Sequence, residues 1–149
     1  MQLEIEINNL AKSPVGKLPV ERIVDLTIKK SGYEFFKNKN ILLSFAWVSE
    51  DEIGRLNKLY RKKNKATDVL SFCEYEDSAD LKKNTEKEIF LGELVLCYDY
   101  IKRSVKDDEV EKDLKKELAR IIAHGVLHLL CFHHGKKMFV IQNEISESF

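Results

Sequence analysis

An apolar helix that carries two histidines at helical spacing constrains this chain more than any other stretch of it. Residues 120–134 read ArgIleIleAlaHisGlyValLeuHisLeuLeuCysPheHisHis, and all 4 histidines of the chain lie between His124 and His134. Four residues on an α-helix return about 40° past a full turn, so His124 and His128 neighbour each other at roughly 5–6 Å and can reach one cation. Such a pair also occurs in cores and on surfaces. Here a further imidazole lies past the expected helix end, where a chain reversal can fold it back over the pair and leave a fourth position open. That is the donor set of a catalytic zinc, one ion per chain, with a water whose pKa falls toward about 7. Adjacent residues rarely both reach one ion after a turn, so either His133 or His134 is the third ligand; spacing alone leaves both open.

A chain of 149 residues supports one domain with a real core, and 1–149 is read as a single domain. Lysine plus arginine number 25 and aspartate plus glutamate 25, so no net field draws nucleic acid to the whole molecule and any such contact must be local. No basic segment leads into an apolar one at the amino terminus, and no apolar run approaches the ~20 residues a bilayer needs. A soluble, unexported, cytoplasmic protein with no membrane partner is expected. The odd set Cys73, Cys97 and Cys131 sits among apolar neighbours, which suits reduced thiols.

Leu3, Ile5 and Ile7 alternate with polar residues and read as a half-buried strand, after which Ile23, Val24, Thr27 and Ile28 give a helix from Val20 to about Gly32 that should cover one sheet face. Residues 41–48 form an apolar run too short for a typical helix, hence an interior strand. Ser49 stands three residues before Glu52, the capping-box spacing, and Ile53, Leu56, Leu59 and Tyr60 supply the stripe of a helix over 50–60. Strands are expected at 69–75 and 89–97, joined by a polar link that reads as a mobile surface loop. A short helix follows. The long helix then starts in the acidic run 107–113, with Val110, Leu114, Leu118, Ile121 and Ile122 on its buried face, and carries the histidines. Met138, Phe139, Ile141 and Ile145 mark a last short helix. The fold class is α+β, a small mixed sheet covered by helices with a metal-bearing central helix.

A second constellation precedes the third strand. Arg61, Lys62, Lys63 and Lys65 put four cations into a short turn. Composition alone favours a solvated turn. Arg61, however, ends an amphipathic helix, and its planar fork suits a phosphate held by two hydrogen bonds. Thr67, Asp68 and Ser71 follow at the mouth of an apolar strand, where they can orient a loop or line a cleft. Three imidazoles on a metal and one arginine are the parts that phosphodiester hydrolysis needs, and the lysines are local cations beside them.

Together the segments HisGlyValLeuHisLeuLeuCysPheHisHis (124–134), TyrArgLysLysAsnLysAlaThrAspValLeuSerPhe (60–72) and LeuGlyGluLeuVal (91–95) resemble the YbeY family of metal-dependent endoribonucleases. Its patterns are close to HGxLHLxGYDH, YRxKxxxTDVLSF and LGE/D. The resemblance implies an α+β fold with a zinc-bearing helix and cleavage of single-stranded RNA. It also implies maturation of ribosomal RNA including the 3′ end of the small-subunit RNA, ribosome quality control, and the small subunit or its assembly factors as partners. By motif position the zinc ligands are His124, His128 and His134, Arg61 is the catalytic or phosphate-holding arginine, and Ser71 is a cleft residue.

Cys131, Phe132 and His133 depart from the family's glycine, tyrosine and aspartate. A left-handed helix end costs a cysteine roughly 1–2 kcal/mol where glycine is free, so a reshaped turn is expected there. Cys73 replaces a common proline. Two other readings compete. The histidine spacing matches HExxHxxGxxH metalloproteases, but these need a glutamate base where this chain has Gly125. A non-catalytic ribosome-assembly module with structural zinc would need a fourth protein ligand, and only Cys131 stands near enough in sequence.

Overall fold

In the computed structural model, which describes residues 1–107 and 113–149, the chain runs β1 (Gln2–Asn9), α1 (Lys17–Lys30), β2 (Asn40–Trp47), α2 (Glu50–Arg61), β3 (Val69–Cys73), α3 (Ser78–Lys82), β4 (Glu88–Leu96), α4 (Tyr98–Asp107), α5 (Leu114–Leu129) and α6 (Lys136–Glu147). The sheet order is β1-β2-β4-β3. β1, β2 and β4 are parallel, and β3 pairs antiparallel with β4 as an edge strand. This is the mixed α+β architecture read from the sequence, with β2 in the interior.

Alternation along β2 and β4 sorts two cores. Ile41, Leu43, Phe45 and Trp47 meet Ile89, Leu91, Leu94 and Leu96 under α1, α5 and α6. On the opposite face Val95 and Leu70 pack with Ile53 and Leu56 of α2. The inward residues of β4 switch from odd to even numbers between Leu91 and Leu94, where the β2 register shifts. A bulge inserts one residue there. Gly92 occupies it at φ +131°, and a Cβ on it would fall 2.1 Å from the Phe72 carbonyl oxygen, so only glycine fits.

Local chemistry explains the helix ends. Ser49 accepts from the Glu52 amide at 3.2 Å, capping α2 as the spacing foretold. Asp113 accepts from the amides of Lys115 and Lys116 at 2.9 and 3.3 Å, capping α5. The long helix therefore starts at Leu114, later than the acidic run suggested, because Asp113 is an extended cap and Asp107 belongs to α4; Val110 lies outside the described residues.

Three expectations change. The link after β3 holds α3, capped by Asp77 through the Asp80 amide at 2.7 Å, and its Leu81 is fully buried in the main core. A single apolar residue anchors it, too little for a visible stripe. Leu59 and Tyr60 are 61% exposed at the last turn of α2, where Tyr60 packs edge-on against Phe72 of the edge strand at 5.1 Å between centroids. Phe139 likewise faces solvent on α6, whose buried stripe is Met138, Ile141, Gln142 and Ile145. No described helix is long and apolar enough to cross a membrane.

Candidate metal centre

α5 is buried along most of its length, and its exposed stripe opens into a cavity of about 650 Å³ between β3 and the end of α2. Close approach of α5 to the sheet depends on Gly125. A Cβ there would come within 2.9 Å of Leu94 Cδ2, 3.3 Å of Val69 Cγ2 and 3.4 Å of Ser71 Oγ. The residue that a protease would need as glutamate is therefore the point where helix and strand touch. Ser71 Oγ donates to the Gly125 carbonyl at 3.4 Å, and Cys73 Sγ to the His128 carbonyl at 3.3 Å, so β3 lies along α5 beside the histidines.

The reversal after α5 is a Schellman turn. Phe132 N–H donates to Leu127 O and Cys131 N–H to His128 O, both at 2.9 Å, with Cys131 left-handed at φ +67°. The turn expected to be reshaped keeps the geometry that a glycine would adopt. Tyr33 adds a hydroxyl donated to Leu130 O at 2.6 Å.

This turn brings His134 back over the pair. Nε2 of His128 lies 3.1 Å from Nε2 of His124 and 2.9 Å from Nε2 of His134, and the ligand atoms of the three residues all fall within 4.8 Å of one another. His133 is exposed and outside the group, so of the two candidates it is the His134 ring that lies beside the pair. Nδ1 of His124 sits 2.8 Å from Oε1 of buried Gln142. With Nδ1–H donating to that oxygen, Nε2 keeps its lone pair for the centre. Three nitrogens converging this closely fit a shared cation. Among the described residues no cysteine or carboxylate joins them; Cys131 Sγ turns instead to the Tyr75 carbonyl at 3.8 Å.

Burial, the neighbouring imidazoles and Arg61 push His128 down to about 4, and burial lowers His124 despite its Gln142 bond. Both are thus neutral at pH 7, the form a metal requires. Burial and the nearby Cys73 raise Cys131 to about 11, which keeps it a thiol.

Arg61, at the last residue of α2, and Ser71 share the cavity wall with the three histidines, as do Tyr60, Thr67, Asp68, Phe72 and Arg120. Lys62, Lys63 and Lys65 are exposed and off that wall; Lys65 borders a separate shallow cleft with Glu50 and Asn64.

Residues 6–149 match the family described as endoribonuclease YbeY. The chain belongs to the YbeY family. A relative from Aquifex aeolicus, an endoribonuclease YbeY, is 35% identical over 85% of this chain and 75% of its own length. One of the same name from Macrococcus caseolyticus is 31% identical over 96% of this chain and 92% of its own. The solution structure of a Thermotoga maritima protein shares the fold at a TM-score of 0.61 and 26% identity, covering 97% of this chain and 87% of that one.

Two residues of this YbeY-family site escaped the sequence reading. Gln142 occupies a buried position on the α6 stripe, and a polar residue among apolar ones was the available signal. Arg120 stands four before His124, the same spacing that marked the histidine pair.

Proposed function

We propose that the chain is an endoribonuclease that hydrolyses single-stranded RNA with a zinc ion held on His124, His128 and His134 and with Arg61 at the scissile phosphate. The carrying observation is the convergence of three imidazoles beside a solvent-facing arginine in one cavity. When bound, the ion would supply Lewis-acid chemistry, making water a nucleophile near neutral pH and offsetting charge on the phosphate. The three imidazoles orient toward one point, and Gln142 fixes the tautomer of His124. The planar fork of Arg61 can hold two non-bridging phosphate oxygens as charge gathers on them. Ser71 lines the floor, and the lysines beyond the wall serve as local cations for the flanking strand.

The family's naming as endoribonuclease supports RNA as substrate. We extend this to ribosomal RNA maturation, including the 3′ end of the small-subunit RNA, and to ribosome quality control, with the small subunit or its assembly factors as partners in the cytoplasm. The protease reading is disfavoured by the packed Gly125, and the structural-zinc reading by a triad that Cys131 does not join.

The test is cleavage of end-labelled RNA, single-stranded and duplexed, alongside casein, with and without chelator. Chelator-sensitive cutting of the single strand is expected, with duplex resistant because its stacked geometry resists a narrow cleft. Arg61→Lys keeps the charge and loses the fork, so it should cut turnover with stability within about 0.5 kcal/mol of the parent. Chelator-sensitive casein cutting with intact RNA would move the assignment to a protease.

A further inference from the structure

The stripe of α5 that carries His124 and His128 continues one turn earlier to Arg120, about 6 Å along the axis and on the same face. Arg120 lines the cavity. Its guanidinium is held by Glu117, with Nε 3.2 Å from Oε2 and Nη2 2.5 Å from Oε1. That carboxylate is itself buried, its side chain 10% exposed against 31% for Arg120. Glu117 thus grips one edge of the fork and leaves Nη1 without a hydrogen bond among the described residues. Asp68, on the same cavity wall, also acts on the Arg120 charge without a hydrogen bond to it among the described residues.

The two arginines stand at opposite ends of the histidines. Tyr60, next to Arg61, packs on Phe72, and the following Cys73 touches the His128 carbonyl, so Arg61 belongs to the His128 end. Val69 and Ser71 lie against Gly125, and Asp68 and Thr67 precede them toward Arg120. The rise of α5 from Arg120 to His124, about 6 Å along the axis, is on the scale of one nucleotide step.

We propose that Arg120 holds the phosphate adjacent to the one being cut, so that the site takes at least two consecutive phosphates of a single RNA strand. This rests on the ribonuclease reading above. Its consequence is selection for internal linkages over dinucleoside monophosphates, which have only the scissile phosphate.

The experiment uses short single-stranded RNAs with one cleavable linkage and an uncharged methylphosphonate at each flanking linkage in turn. The zinc-loaded wild type should lose about ten- to hundredfold in kcat/KM at one flanking position, the range for a hydrogen bond to a charged group. Arg120→Gln should be slower on the all-phosphate strand and show no further loss at that position, and Arg120→Lys should restore part of the difference. Because Arg120→Gln leaves Glu117 without its cation, the scan is repeated in Glu117→Gln/Arg120→Gln, where the pair is neutral. Fluorescence anisotropy of the same labelled strands reads the contact without turnover. Equal losses in wild type and both variants, or a wild type indifferent to either flanking charge, would overturn the role of Arg120. A wild type that cuts and binds none of the strands would overturn the ribonuclease reading, and this inference with it.

Discussion

At the scale of single residues, His134 and Cys131 show how far one turn determines the site. His133 and His134 are indistinguishable by spacing, and only the Schellman geometry decides which imidazole returns to the pair. His134→Ala should therefore release zinc as read by elemental analysis, whereas His133→Ala should retain it; the reverse result would displace His134 from the centre. Cys131 occupies a left-handed position at φ +67° that glycine adopts without a Cβ penalty. Cys131→Gly is expected to stabilise the protein by about 1 kcal/mol in denaturant titration, with unchanged zinc content, since the thiol is not in the ligand group. The histidine pair and Arg61 were legible because their signals are local spacings and types. Gln142 and Glu117 were not, because one polar residue on a helix carries no sign of the partner it will meet across the fold.

At the scale of elements, α6 helps to aim the centre. It contributes Gln142 to the outer nitrogen of His124, 18 residues away in sequence. Gln142→Leu preserves the approximate volume and removes the acceptor, so zinc affinity should fall about 10–100-fold in chelator competition while the helix content by circular dichroism stays the same. Unchanged affinity would mean that packing alone orients the ring. Most elements were readable from apolar periodicity: β1, α1, β2, α2, β3 and β4 sit where the stripes placed them, to within a few residues at their ends, while α5 begins at Leu114, after the acidic run in which its start was expected. The helix α3 was hidden by its length, and the exposure of Leu59 and Tyr60 by their place at the end of α2, since periodicity does not tell how far along a helix its partners extend.

At the scale of the whole molecule, folding keeps His124 and His128 neutral, and this couples the site to stability. An unfolded histidine titrates near 6.5, while His128 in the fold takes a proton only near 4. Between these values the unfolded chain binds more protons, so stability rises with pH through that window and is lost as pH falls through it. Chelator-treated protein should melt at lower temperature at pH 5 than at pH 6.5, and His128→Gln should reduce that difference. Identical melting of the parent at both values would contradict the burial of a neutral ring. The order of strands was beyond periodicity altogether, because alternation says which residues face inward and nothing about which strand lies beside which. The bulge at Gly92 bears on that order in a way best put as parity. Before it, odd-numbered residues of β4 look toward α5; after it, even-numbered ones do. β3 pairs with the later half, Ser71 opposite Leu94 and Val69 opposite Leu96, and so inherits the shifted count. A single inserted backbone unit, on a strand that never touches the cavity, thus determines that Ser71 and not Phe72 looks at the histidines.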